Sequence, residues 1–270
     1  MYVLLYNPLS RNGHGKTSLE ETIAFIATKE YETVNMLEIT DYKSLFDSYS
    51  VEDTFVVIGG DGTFSKFVNS MPLVPNKIMF FAGGTGNDFL RNFKGDLIEY
   101  SSDIDKPVVT TDKLVKMINT FGTGADSLVM EYYNNSKNKS KLAYFYYTLK
   151  AFLTYKPLTV NVEIDGKKYT FHRTYLVAVQ NGKYFGGGML VTPDAEVDDG
   201  VLDVCIIHNI SRLKLFLVFP SVYSGSHLKF TKHVLYTQGK KIHITQDTPR
   251  SFTTDGELSE KVYHNFKIEL

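Results

Sequence analysis

Phe55-Val56-Val57-Ile58-Gly59-Gly60-Asp61-Gly62-Thr63 is a continuous apolar run that stops in a glycine-rich turn. The pattern returns at Ile78-Met79-Phe80-Phe81-Ala82, followed by Gly83-Gly84-Thr85-Gly86-Asn87-Asp88. A run that is apolar at every position predicts a strand buried on both faces, as in a parallel sheet covered by helices. The neighbouring segments fit that reading. Tyr2 to Tyr6 predicts a strand stopped by Asn7-Pro8, and Leu19, Ile23 and Ile26 recur at helical spacing. Val34 to Ile39 predicts a second strand, Asp41 to Tyr49 a short helix, Thr54 to Ile58 a third strand and Ile78 to Ala82 a fourth. Strands alternating with helices predict an α/β domain with a mostly parallel sheet over residues 1–107.

Beyond Pro107 the periodicity changes. Val160, Val162 and Ile164 alternate with polar residues, Asp165-Gly166 supplies a hairpin turn, and Tyr169 and Phe171 continue on the return strand. Tyr175 to Gln180, Leu202 to Ile207 and Lys241 to Thr245 predict further strands, so residues 108–270 predict an antiparallel β-sandwich. One helix is inserted, with Leu142, Phe145, Leu149, Phe152 and Leu153 on one face. Leu215 to Phe219 is an apolar run expected to pack in the core of this second domain. Asn134 to Lys141 is a polar, low-complexity stretch expected as an exposed loop.

Composition narrows the function classes. The chain has 270 residues, 43% hydrophobic and 22% charged, which suits one large or two ordinary globular domains and excludes a disordered chain. Lys+Arg 29 against Asp+Glu 30 gives no general pull on nucleic acid. Cys205 is the single cysteine, so no intrachain disulfide forms, and its strand-like context predicts a buried core residue. The seven histidines lack zinc-ligand spacing. Lys, Asp or Gly interrupts each apolar stretch, so no transmembrane segment is expected. With no signal-peptide pattern, a cytoplasmic protein is expected.

The chemistry is written in the turns. Beyond the carboxyl ends of strands in an open parallel sheet, glycines let backbone N–H groups approach phosphate oxygens. Each turn also carries an acid, Asp61 or Asp88, which would repel a phosphate unless a divalent cation lay between them; this pairing predicts Mg²⁺. Two ordinary tight bends would show the same glycines, but a Thr and an Asp in both turns favours the phosphate reading. Asn7 to Lys16 forms a third loop at a strand end, without the spacing of a Walker-type nucleotide loop.

Gly59-Gly60-Asp61-Gly62-Thr63 resembles the signature shared by diacylglycerol and sphingosine kinases, NAD kinases and phosphofructokinases. The later motifs are more discriminating. Gly84-Thr85-Gly86-Asn87-Asp88-Phe89, Phe121-Gly122-Thr123-Gly124-Ala125-Asp126 and Asn181-Gly182-Lys183-Tyr184-Phe185-Gly186-Gly187-Gly188 come first. Pro193-Asp194-Ala195, Asp199-Gly200-Val201-Leu202-Asp203-Val204 and Asp255-Gly256-Glu257 follow. In this order they resemble the bacterial lipid kinases of the diacylglycerol kinase catalytic family, from about Val3 to Glu257.

The resemblance implies a nucleotide-binding α/β domain, a β-sandwich domain and an active site in the cleft, with ATP and Mg²⁺ required. It implies that Asn7, Thr40, Gly59, Gly60, Asp61, Gly62, Thr63, Gly84, Thr85 and Gly86 contact ATP. Asp255 would be the general base toward a lipid hydroxyl, while Asp61, Asp88 and Glu257 would organise the catalytic Mg²⁺. Glu196, Asp199 and Val201 would hold a structural Mg²⁺, Glu196 and Val201 through their carbonyls. Arg11 stands where the family's first loop usually has Gly, which either weakens the loop's wrap around phosphate or lets Arg11 reach an anionic group itself. The acceptor expected is diacylglycerol at a membrane surface; NAD, a sphingoid lipid, or a nonenzymatic sensing role are the alternatives. Lys137, Lys139 and Lys141 ahead of the amphipathic helix, with Arg91 elsewhere, would support peripheral membrane contact. A homodimer is left open.

Overall fold

The computed structural model describes residues 1–27, 30–84, 86–137 and 140–270, apart from the side chains of Asn12 and Lys141. The chain divides into two compact units, Met1–Ile104 and Asp105–Leu270.

Unit 1 runs β1 (Tyr2–Tyr6), α1 (Ser10–Gly13), α2 (Gly15–Ile26), β2 (Tyr31–Asn35), α3 (Tyr42–Asp47), β3 (Thr54–Gly59), α4 (Asp61–Ser70), β4 (Ile78–Ala82) and β5 (Leu97–Glu99). The strand order is β2-β1-β3-β4-β5, parallel except for the antiparallel edge β4–β5. After β1 the chain moves to one side of the sheet for β2 and to the other for β3. The loops after β1 and β3 therefore flank a topological switch point, where an open α/β sheet leaves a crevice for ligands.

Side-chain chemistry divides the faces. Leu4, Val56, Ile58 and Phe81 pack against Leu19, Ile23 and Ile26 of α2. The opposite face is aromatic, with Phe64 stacked on Phe80 at 4.4 Å, Phe46 beside Phe55 at 4.4 Å and Tyr42 edge-on to Phe67 at 5.6 Å. Much of the chain's Phe content is thus a core in which α4 buries Phe64, Phe67 and Val68. Asp41 starts α3 by accepting the N–H groups of Lys43 and Ser44.

The structure corrects the second strand. It occupies Tyr31–Asn35, and the expected Val34–Ile39 segment turns at Asn35, whose side chain accepts Leu37 N–H and starts a short 3-10 turn over Met36–Glu38. This strand lies at the sheet edge and is largely exposed, so it lacks the apolar run that marks β3 and β4.

Unit 2 contains β6 (Val108–Thr110), β7 (Leu114–Lys116), β8 (Thr120–Gly124), α5 (Ala125–Asn134), α6 (Lys141–Thr154), β9 (Leu158–Ile164), β10 (Lys167–Thr174) and β11 (Leu176–Gln180). It continues with β12 (Tyr184–Phe185), β13 (Met189–Leu190), β14 (Leu202–Ile207), α7 (Arg212–Val218), β15 (Val234–Gly239), β16 (Lys241–Arg250), β17 (Phe252–Thr254), β18 (Glu257–Leu258) and β19 (Tyr263–Glu269). Two antiparallel sheets, ordered β10-β9-β16-β19-β6-β7 and β15-β14-β11-β8-β17-β18, enclose one core that includes Val160, Val162, Ile244, Val177, Val204 and Phe266. Among the described residues three α-helices, α5, α6 and α7, accompany the sandwich where the sequence predicted one. The second sheet is covered on its outer face too, so β14 is buried at all six positions and Cys205 lies fully inside it.

Candidate active site

In unit 1 the two glycine turns interlock. A Cβ on Gly60 would lie 2.3 Å from the Gly86 carbonyl oxygen, and one on Gly84 would lie 2.4 Å from the Gly60 Cα. The backbones touch where only glycine fits. Gly83 N–H donates to the Gly59 carbonyl at 2.8 Å and Asp61 N–H to the Gly86 carbonyl at 3.1 Å.

Asp61 completes the joint. Its Oδ2 accepts the N–H of Asp88 at 2.8 Å and its Oδ1 accepts that of Phe89 at 3.0 Å. This positioning role is invisible in a motif. Asp88 is itself buried, with the Arg91 guanidinium 3.6 Å from its carboxylate. Gly59, Gly60, Asp61, Gly62, Thr63, Gly84, Gly86 and Asp88 are therefore gathered at the carboxyl ends of β3 and β4 and the start of α4, where helix N–H groups favour an anion. Thr85 lies outside the described residues.

Asn7 follows β1, and its side chain accepts Leu9 N–H at 2.9 Å. Thr40 is exposed at the bend before α3. Arg11 has φ 53, a left-handed conformation that favours glycine, and its guanidinium bonds both carboxylate oxygens of Glu21, at 3.2 and 3.0 Å. Its charge is engaged on its own side of the loop.

In unit 2 the site is built around Asp255. Asp255 and Gly256 have φ 51 and 82, forming the tight turn between β17 and β18. The Asp255 side chain is buried, and its carboxylate accepts three backbone N–H groups: Ile118 at 3.0 Å, Asn119 at 2.9 Å and Thr120 at 3.0 Å. The convergent amides fix the direction of the carboxylate. The motif residue Asn181 supports this arrangement from behind, its side-chain amide donating to the carbonyls of Ile118 and Asp105 and its N–H to that of Asn119. Glu257 is exposed at the start of β18.

The sequence reading passed over Asp126 as a site residue. It lies in the first turn of α5, where burial pushes its carboxyl up to about 6, and its Oδ2 accepts Thr253 Oγ1–H at 2.7 Å. Gly122 makes the room, because a Cβ there would fall 2.2 Å from that oxygen. Asp126 also lines a partly open cavity of about 60 Å³ between the second sheet and the helices. Val129, Phe152, Leu176, Met189, Leu215 and Phe219 are among its walls, and the polar side chains there are few, including Thr148 and His227. The signal that could have found Asp126 is the acid in the quoted Gly124-Ala125-Asp126 motif.

The Asp199 loop is acidic. Asp199 accepts Val201 N–H at 3.1 Å, and Gly200 N–H donates to Asp105 at 2.8 Å. Burial pushes the Asp105 carboxyl up, and the charges of Asp199 and Asp198 add to the shift. Glu196 and Asp199 are exposed. Among the described residues no group of three or more His, Cys, Asp or Glu side chains is arranged to hold a metal ion, so a cation at this loop would depend on backbone carbonyls.

Comparison with known proteins matches this architecture. Residues 1–118 match the diacylglycerol kinase catalytic domain, and residues 119–269 the YegS C-terminal NAD kinase beta sandwich-like domain. A diacylglycerol kinase of Mycobacterium tuberculosis is 28% identical, over 89% of this chain and 83% of that one. A diacylglycerol kinase of Staphylococcus aureus is 26% identical, over 97% and 88%. A crystal structure from Bacillus anthracis str. Sterne superposes with a TM-score of 0.72 at 25% identity, covering 99% of this chain and 91% of that one. A diacylglycerol kinase structure from the same organism shares the fold at 19% identity, with a TM-score of 0.64 and coverage of 99% and 92%. With both domain models matched in succession along nearly the whole chain, the protein belongs to the diacylglycerol kinase-like family of lipid kinases.

Proposed function

We propose that this protein transfers the γ-phosphoryl group of ATP to the free hydroxyl of diacylglycerol, giving phosphatidic acid. The observation that carries the acceptor assignment is the unit 2 cavity, whose walls are mostly hydrocarbon. An acyl chain gains by leaving water for such a site, whereas a polar metabolite such as NAD would desolvate its polar groups there without partners. Membership in a kinase family supports ATP as donor.

In this reading the interlocked turns and the first turn of α4 seat the nucleotide phosphates, with Asn7, Thr40 and Thr63 as further contacts. Mg²⁺, when bound, neutralises charge on the transferring phosphoryl group. Asp61 and Asp88 of unit 1 would offer it oxygen donors, as a hard cation prefers, and Glu257 of unit 2 carries a donor of the same kind. The Asp199 loop, with Asp199 and the carbonyls of Glu196 and Val201, offers a second oxygen set, and the like charges pressing on Asp105 favour a cation nearby. Asp255 orients the acceptor hydroxyl and takes its proton. Three backbone amides hold this carboxylate in place for that step. Because the acceptor resides in a bilayer, the enzyme works as a peripheral protein on the cytoplasmic membrane surface.

The test is transfer of radiolabel from ATP with Mg²⁺ to diacylglycerol, sphingosine or NAD, each offered separately. Label in phosphatidic acid is expected; label in phosphorylated NAD alone, or in no product, would sink the proposal.

A further inference from the structure

Two of the helices that wall the unit 2 cavity, α6 and α7, each turn a second apolar strip to solvent. On α6, Tyr144, Thr148 and Phe152 line the cavity, while Leu142, Tyr146 and Leu153 are 82%, 60% and 58% exposed. On α7, Leu215 lines the cavity, while Leu213 and Leu217 are 74% and 73% exposed. Aromatic contacts join the two helices. Phe145 lies 5.8 Å from Phe219, and Phe152 lies 5.9 Å from Phe216, so α6 and α7 lie side by side and carry their exposed leucines and tyrosine together. A clustered apolar surface of this kind marks a place that buries against something.

Charge identifies the occupant. The sequence has no Asp or Glu from Ser136 to Val162, nor from Val204 to Gln246, the two segments that contain these helices. Lys156, Arg212 and Lys214 are exposed at the helix ends. Leucines and a tyrosine rimmed by basic side chains complement an anionic lipid surface. A second copy of the chain would bring two basic rims together, which like-charge repulsion opposes.

We infer that the α6–α7 face docks on an anionic bilayer, which sets the helical wall of the cavity against the membrane that supplies the acyl chain. The inference deepens the lipid kinase reading and rests on it for its purpose, but docking is measurable without catalysis.

The experiment is cosedimentation of the full chain, without nucleotide, with phosphatidylcholine vesicles that contain or lack phosphatidylglycerol. The unaltered chain is expected to sediment with the anionic vesicles, less so at high salt, and little with the neutral ones. The quadruple change Leu142→Gln, Tyr146→Gln, Leu213→Gln, Leu217→Gln should weaken that binding about tenfold or more, and Lys156→Glu with Lys214→Glu should do so independently. Both variants should keep the original melting temperature and their turnover of a dispersed short-chain diacylglycerol. Sedimentation of the variants equal to that of the unaltered chain would overturn the inference. So would a dimer, seen by light scattering, that the quadruple change converts to monomer. If docking behaves as expected while no form phosphorylates any diacylglycerol, the surface stands and the kinase reading falls.

Discussion

Asp61 grips the backbone of Asp88: one carboxylate oxygen accepts the Asp88 N–H at 2.8 Å, and the other accepts the next N–H, from Phe89. An acid that the motif suggests for metal also fastens one glycine turn to the other. Asp61→Ala leaves two amides without an acceptor, which costs about 2–4 kcal/mol in all. It should lower the melting temperature measurably and abolish ATP turnover together. Gly84→Ala, which pushes a methyl into Gly60, should act in the same direction by about 1–3 kcal/mol. Differential scanning calorimetry beside a turnover assay checks both. A melting temperature unchanged in Asp61→Ala would show that the clasp is dispensable.

Asp255→Asn separates chemistry from folding. Asn tolerates the left-handed φ of 51 and keeps one acceptor oxygen for the converging amides. Phosphoryl transfer should fall by about 100-fold or more while the fold persists. Asp255→Ala deprives three amides of their partner and should destabilise unit 2 by several kcal/mol, roughly 1–3 for each. Equal melting curves for the two variants would contradict this division.

Asp126 gives a pH signature. Burial raises its folded carboxyl to about 6, from 3.8 as the ordinary value, so the folded state holds this proton more tightly than the unfolded chain. Its favourable contribution is complete below about pH 4 and is lost as pH rises through 6. At pH 8 the buried charge therefore costs about 3 kcal/mol relative to a neutral group. Asp126→Asn should melt higher than the unaltered protein at pH 8, with the advantage vanishing near pH 4. A melting difference independent of pH would refute the assignment.

Arg11→Gly resolves the departure in the first loop. The left-handed φ favours glycine, and an exposed pair with Glu21 is worth only about 0–1 kcal/mol, so stability should change by less than about 1 kcal/mol. ATP affinity measured by calorimetry should not move, because the guanidinium is committed to Glu21. A large loss of affinity would mean that Arg11 leaves Glu21 for a phosphate.

What the sequence made legible follows burial. β3 and β4 were readable because strands covered on both faces are apolar at each position, and the glycine turns because close backbone approach leaves few other residues possible. β2 slipped because an exposed edge strand carries little pattern, and the Asn35 cap that ends it is a local hydrogen bond rather than a periodicity. Leu215 to Phe219 packs in the core at Leu215, Val218 and Phe219, while Leu217 within the run is apolar in sequence yet faces water. Asp126 was missed as a site residue because desolvation belongs to the assembled fold, where Gly122 opens the space its carboxylate fills.

The cavity behind α6 and α7 also ties ligand identity to melting. Any molecule that seats there binds the folded chain and not the unfolded one, and at a hundredfold excess over its Kd it adds about 2.7 kcal/mol by mass action. Acceptors can therefore be ranked by thermal shift alone, with neither nucleotide nor product. Acyl length would be read from the point at which further methylenes stop raising the transition.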